Sequence, residues 1–100
     1  MNIHINQKNN TTEIAFQGDF KIDVAAELYS RLAETNITSE MVTLNCNDLG
    51  ECDVTYFQIL LTYSQKLKTA GKQIVILDEN ETLRTLSAQL GYSDEFLKEQ

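Results

Sequence analysis

The stretch QIVIL, at positions 73–77, constrains this chain more than any other. It is a continuous apolar run of strand length, the pattern of a central strand covered on both sides. A long helical pattern over 54–70 precedes it, and Gly71 suits the position just past that helix. Before the helix lies MVTLNC, residues 41–46, a second apolar strand pattern. A strand, a helix and a strand joined by short links imply a right-handed parallel crossover.

The remaining elements fit around this unit. Residues 2–6 and 11–17 read as two short strands, with Lys8, Asn9 and Asn10 as the turn between them. Gly18 and Asp19 are expected to break the second strand. Over 24–34, Val24, Leu28 and Leu32 share one face of an amphipathic helix, and Asp23 is the candidate N-cap. NDLGE, residues 47–51, reads as a loop. Asn80 is expected to cap a helix over 81–90 that Gly91 closes, with a short helical tail over 93–98. The order β-β-α-β-α-β-α predicts an α/β fold: a small mixed sheet with helices packed largely on one side.

One hundred residues correspond to a single domain, 1–100. With 15 acidic and 8 basic side chains, the formal net charge is −7. That balance argues against a phosphate-backbone partner, so no nucleic acid is expected, and against anionic membrane surfaces. No apolar stretch approaches the roughly 18 residues of a membrane span, and no signal-peptide pattern opens the chain. A cytoplasmic setting follows, with Cys46 and Cys52 as free thiols.

The segment ECDVTYFQILL, residues 51–61, carries the candidate site. Asp53 stands where a helix N-cap belongs, and the helix dipole favours its charge there. Thr55 lies in the first turn, where amide groups would favour a phosphate; Asp48, Glu51 and Asp53 nearby would repel one. At about 100° per residue, Phe57, Leu60, Leu61 and Ser64 share the face toward the sheet, with Leu67 beside it. Gln58, Thr62, Gln65 and Thr69 form a polar face. Tyr56, Ile59 and Tyr63 form a third sector. Either neighbouring helices cover that sector, or it is an exposed aromatic stripe for a partner, a homodimer included.

Other constellations favour structural readings. Two cysteines and a distant His4 do not make a zinc set, so no metal is expected. No phosphate-cradling glycine loop is present, and no cofactor is expected. Glu51 and Asp53 do not support acid–base pairing for glycoside cleavage. Asp94, Glu95 and Glu99 read as a solvated face. A small enzyme or a metal-dependent protein is the reading of a third class, and it would need a defined pocket of convergent polar groups.

From strand to strand, VTLNCNDLGECDVTYFQILLTYSQKLKTAGKQIVIL resembles the STAS domain, the sulphate-transporter and anti-sigma-factor-antagonist module. FQGDFKIDVAAELYSRL resembles that family's upstream segment, and the likeness spans roughly residues 11–92. The family reads apolar strand, Asp-Leu-Ser, a short loop, then Asp-Ser-Ser-Gly-Leu opening a helix. Here Asn45 stands for the strand-end Asp and Asp53 for the loop Asp. Val54 and Thr55 replace the two serines, Tyr56 the glycine and Phe57 the leucine.

The resemblance implies a binding module, not an enzyme, with Thr55 at the position phosphorylated in sporulation and stress-response members. It implies a protein partner: a histidine-kinase-like ATPase acting as anti-sigma factor, a chemotaxis or two-component protein, or the ATPase subunit of a lipid ABC transporter. It places the contact on the 48–63 loop and helix, with Asp48, Glu51, Asp53, Thr55, Tyr56, Ile59 and Tyr63.

Overall fold

A computed structural model describes residues 1–91. The expected tail helix at 93–98 and the acids Asp94, Glu95 and Glu99 lie outside them.

Four strands line up in the order β1-β2-β3-β4. β1 (Asn2–Lys8) and β2 (Thr11–Phe20) form an antiparallel hairpin in which Lys8 faces Thr11. Asn9 makes the turn at φ 56°, a left-handed conformation that asparagine tolerates better than most residues. β2 then pairs in parallel with β3 (Met41–Cys52), and β3 in parallel with β4 (Gln73–Leu77). Helices α1 (Ala25–Glu34) and α2 (Val54–Thr69) make the two crossovers, and α3 (Thr82–Gln89) follows β4.

The strands show one face to the helices. Ile3, Ile14, Phe16, Val42, Leu44, Cys46, Ile74 and Ile76 are buried with Leu28 and Leu32 of α1, Phe57, Leu60 and Leu67 of α2, and Leu83 of α3. Alternate strand positions such as Glu13, Thr43, Asn45 and Val75 point the other way and are only half-buried. The expected mixed sheet with helices on one side is therefore the observed fold.

Several boundaries differ from the sequence expectation. Gly18 and Asp19 do not end β2. The strand bulges there, between Ala15 and Gln17 and again between Gly18 and Phe20, and keeps pairing to Phe20. Gly18 adopts φ 90°, which lets the strand bend without stopping. NDLGE is likewise strand rather than loop, since Asp48, Leu49 and Cys52 pair with Gln17, Gly18 and Phe20. Polar composition hid this extension because its outer residues face solvent.

β4 was expected to be central and covered on both faces. Among the described residues it has β3 as its one neighbour, and Val75 and Leu77 are half-buried. A short apolar run cannot by itself tell a central strand from one packed hard on a single face.

Two expected caps also moved. Asp23 falls within a single 3-10 turn, Ile22–Val24, and α1 starts after it with no side-chain cap. Asn80 does not cap α3. Asp78 does: its Oδ1 accepts the Leu83 amide and its Oδ2 the Arg84 amide, both at 3.1 Å. Asn80 instead donates its Nδ2 hydrogen to the Asn47 carbonyl at 2.8 Å, tying the end of β4 to β3.

Candidate functional site

The site begins at Asp53, where β3 hands over to α2. Its Oδ1 accepts the amides of Thr55 and Tyr56, at 3.0 and 3.3 Å. This is the cap expected from the sequence, since the first amides of a helix have no partner within it. Its Oδ2 accepts the amide of Ile22 at 2.9 Å. One carboxylate thus joins the start of α2 to the 3-10 turn that follows β2. The backbone repeats the link, with the Asp53 amide on the Phe20 carbonyl at 3.3 Å.

Thr55 is half-buried in the first turn of α2. The amides that would attract a phosphate here, its own and that of Tyr56, are already bound by Asp53. A phosphate on Thr55 would meet the Asp53 charge with those two donors spent, so repulsion outweighs ordering.

Tyr56 leaves the expected exposed stripe. Its side chain is 1% exposed and packs edge-on against Phe16, with ring centres 5.8 Å apart, and tilted against Phe20 at 5.0 Å. Its Oη lies 3.6 Å from the Cys46 Sγ. Such an aromatic trio holds well over its buried area alone. In this chain Tyr56 fills space under the β2 bulge and supplies no contact surface. Burial pushes the Tyr56 hydroxyl well above its ordinary pKa and the Cys46 thiol up to about 12. The Cys52 thiol rises to about 11, from burial and then the neighbouring Asp53 charge. Neither cysteine is a ready nucleophile at neutral pH.

Ile59 and Tyr63 are half-buried and do share a surface. With Thr55 and Lys66 of α2 they line a groove of about 260 Å³ whose opposite wall is Tyr29 and Ala33 of α1. Tyr63 Oη is buried there with no hydrogen-bond partner among the described residues.

The acids gather at one end of this surface. Glu51 forms an ion pair with Lys21, and Asp19 and Asp23 add to the field on that lysine, all raising its pKa. Asp48 is exposed on the outer stretch of β3. Exposed apolar side chains, Ile22 and Val54, stand among these charges.

Sequence reasoning grouped Thr55, Ile59 and Tyr63, which line one groove, with Asp53, which caps the helix that carries them. It missed Tyr29, Lys66 and Ile22. The signal for Tyr29 was present: an aromatic residue one position outside the Leu28–Leu32 face of an amphipathic helix. Asn45, at the position of the family's strand-end acid, turns its Oδ1 to the Asn47 amide at 3.1 Å and takes no part in this surface. His4 is exposed on β1. Among the described residues no cluster of metal-ligating side chains forms, and no helix is long and apolar enough to cross a membrane.

This arrangement of bulged β2, extended β3 and an Asp-capped α2 defines a small α/β domain. The chain belongs to the STAS domain family: the family model described as "Mlab, STAS domain" matches residues 3–98. No curated protein sequence matches it.

Solved structures show the same fold. The unphosphorylated form of the anti-sigma factor antagonist SpoIIAA superposes with a TM-score of 0.66 at 14% identity, over 91% of this chain and 84% of that one. A sulfate transporter family protein from Wolinella succinogenes gives 0.66 at 18% identity, over 88% and 71%. The crystal structure of Mglu in its native form in 4.3 M NaCl gives 0.72 at 10% identity, covering 81% of this chain. The chain spans 27% of that Mglu chain and 19% of another.

Proposed function

We propose that this chain is a non-catalytic regulatory module of the cytoplasm that binds a signalling protein through its 48–63 surface. The partner is a histidine-kinase-like ATPase of the anti-sigma class or a chemotaxis or two-component protein. The observation that carries the reading is Thr55 in the first turn of α2, lining an accessible groove with Ile59 and Tyr63. Phosphate on Thr55 would weaken docking by setting a bulky, solvated dianion into the apolar groove that Thr55 lines. Within the proposed contact set, Asp48, Glu51, Thr55, Ile59 and Tyr63 supply surface, whereas Asp53 and Tyr56 hold it in place.

A second reading keeps the surface and drops the switch: a constitutive subunit bound to the ATPase of a lipid ABC transporter. Two facts favour it. Asp53 has already claimed the first-turn amides, and the family's small glycine is here the buried Tyr56.

Affinity capture from the native lysate separates the two. Wild type, Thr55→Ala, Thr55→Glu and the exposed pair Val54→Arg/Gln58→Arg would be compared, with intact mass for phosphate. A kinase-like or chemotaxis protein lost from Thr55→Glu and retained by Thr55→Ala is the expected result. A transporter ATPase held equally by both Thr55 variants establishes the second reading. Capture unchanged in Val54→Arg/Gln58→Arg would put the contact elsewhere.

A further inference from the structure

The groove between α1 and α2 takes one wall from the 48–63 surface, and its α1 wall and its Lys66 end lie outside that assignment. Its walls are Tyr29 and Ala33 on one helix and Ile59 and Tyr63 on the other. Tyr29 is 65% exposed, a large aromatic face presented to water. From Thr55 to Lys66 the groove follows twelve residues of α2, about 16 Å at the helical rise. That is the length of three turns of another helix, and two neighbouring helices offer a third the ridges and furrows it needs to pack.

The groove is also electrically polar. At the Thr55 end, the Asp53–Ile22 hydrogen bond brings in the 3-10 turn, and with it Asp19, Asp23 and Glu51 around Lys21. The three carboxylates outnumber that single ammonium. At the far end Lys66 is exposed, and no carboxylate among the described residues pairs with it. An occupant that fits must carry positive charge at one end and accept a cation at the other. A second copy of this chain fits poorly, since each copy brings a net charge of −7.

We infer that the α1–α2 groove receives an amphipathic helix of the partner protein, about three turns long. Its aliphatic or aromatic residues at i, i+3 or i+4 and i+7 lie between Tyr29 and Ile59. Lysine or arginine residues at one end meet the Asp19, Asp23 and Glu51 cluster, and an acidic residue at the other meets Lys66. The inference rests on the proposed protein-binding function and names the partner's recognition element. Electrostatics set the direction in which that helix lies, and the apolar anchors hold it.

The test is photo-crosslinking in cells. p-Benzoylphenylalanine is placed singly at Tyr29 in the groove, at Val54 on the 48–63 surface, and at Asn6 on β1 as a control. Crosslinked peptides are mapped on the partner by mass spectrometry. The expected result is a Tyr29 crosslink to a helical segment with that apolar spacing and one basic end. Lys66→Glu should then lower crosslink yield about fivefold, the worth of one rim charge pair.

A Val54 crosslink without a Tyr29 crosslink overturns the inference and leaves the proposed function standing. No crosslink at either position removes both. A Tyr29 crosslink to a second copy, to residues 92–100 of the same chain, or to a partner segment without the basic end and apolar spacing also overturns it.

Discussion

Asp53 holds Ile22 in place across 31 residues of sequence, through one 2.9 Å hydrogen bond from the Ile22 amide. The other oxygen of the same carboxylate caps α2. Replacing it therefore releases two elements at once.

Asp53→Ala should cost about 1–3 kcal/mol, combining a lost N-cap with a lost charge-assisted hydrogen bond. Asp53→Asn should cost less than Asp53→Ala, because its amide oxygen still caps α2 while its NH2 group faces the Ile22 amide. Urea unfolding of the three proteins checks the order. Equal stability of wild type and Asp53→Ala would contradict the double role.

Tyr56 should behave as a core residue. Tyr56→Phe keeps the ring between Phe16 and Phe20 and loses a weak contact to sulfur, so about 1 kcal/mol or less is expected. Tyr56→Ala should cost about 3–5 kcal/mol. Arginine at this position should unfold the domain outright, so binding lost in that variant would say nothing about docking. Circular dichroism melts give the comparison.

Stability should fall at alkaline pH. Cys46 and Cys52 have folded pKa values of about 12 and about 11, above an ordinary thiol, and Tyr56 and Tyr63 are also raised. Between pH 9 and 12 the unfolded chain therefore holds fewer protons than the folded one. Unfolding free energy is full below pH 9 and declines above it, by about 1.4 kcal/mol per pH unit for each fully linked group. Urea midpoints from pH 7 to 11 test this. The same burial predicts that a disulfide-exchange reagent at pH 7.5 titrates both thiols slowly until denaturant is added.

Gly50 sits against the β2 bulge. A Cβ there would run into the Asp19 carboxylate, which accepts the Glu51 amide at 2.8 Å, and would lie 3.3 Å from the Gly18 carbonyl carbon. Gly50→Ala should therefore destabilise by about 1–3 kcal/mol. Gly71→Ala meets no neighbour but must hold φ 86°, so its expected cost of about 1 kcal/mol comes from the backbone.

Tyr63→Phe should leave the free domain as stable as wild type or stabilise it by up to about 1 kcal/mol. It removes a buried hydroxyl that has no partner among the described residues. A loss of more than 1 kcal/mol in thermal unfolding would show that the hydroxyl is in fact engaged.

These expectations also mark what the sequence could and could not reveal. The crossover elements were readable because QIVIL and MVTLNC are apolar runs of strand length, and 54–70 is too long for a strand and is closed by Gly71. Asp53 was readable because capping is a local matter, settled within three residues. Tyr56 was not, because its place depends on Phe16 and Phe20, which reach it only after β2 pairs with β3. The same pairing converted NDLGE from an expected loop into strand. A helical wheel gives the direction of a side chain; it cannot say whether another element arrives there. Lys66 and Tyr29 escaped notice for that reason, since a groove belongs to two helices and to neither pattern alone.

The Asp53 cap uses the amide of Thr55 and leaves its hydroxyl out. The capping acid and the proposed phosphate acceptor are thus separable, two positions apart. A descendant of this chain could exchange Thr55 for alanine, give up any regulatory chemistry, and still be compelled to keep the acid two residues earlier. An aspartate at this point in a sequence is accordingly a marker of the fold, and carries no information about whether a kinase ever visits.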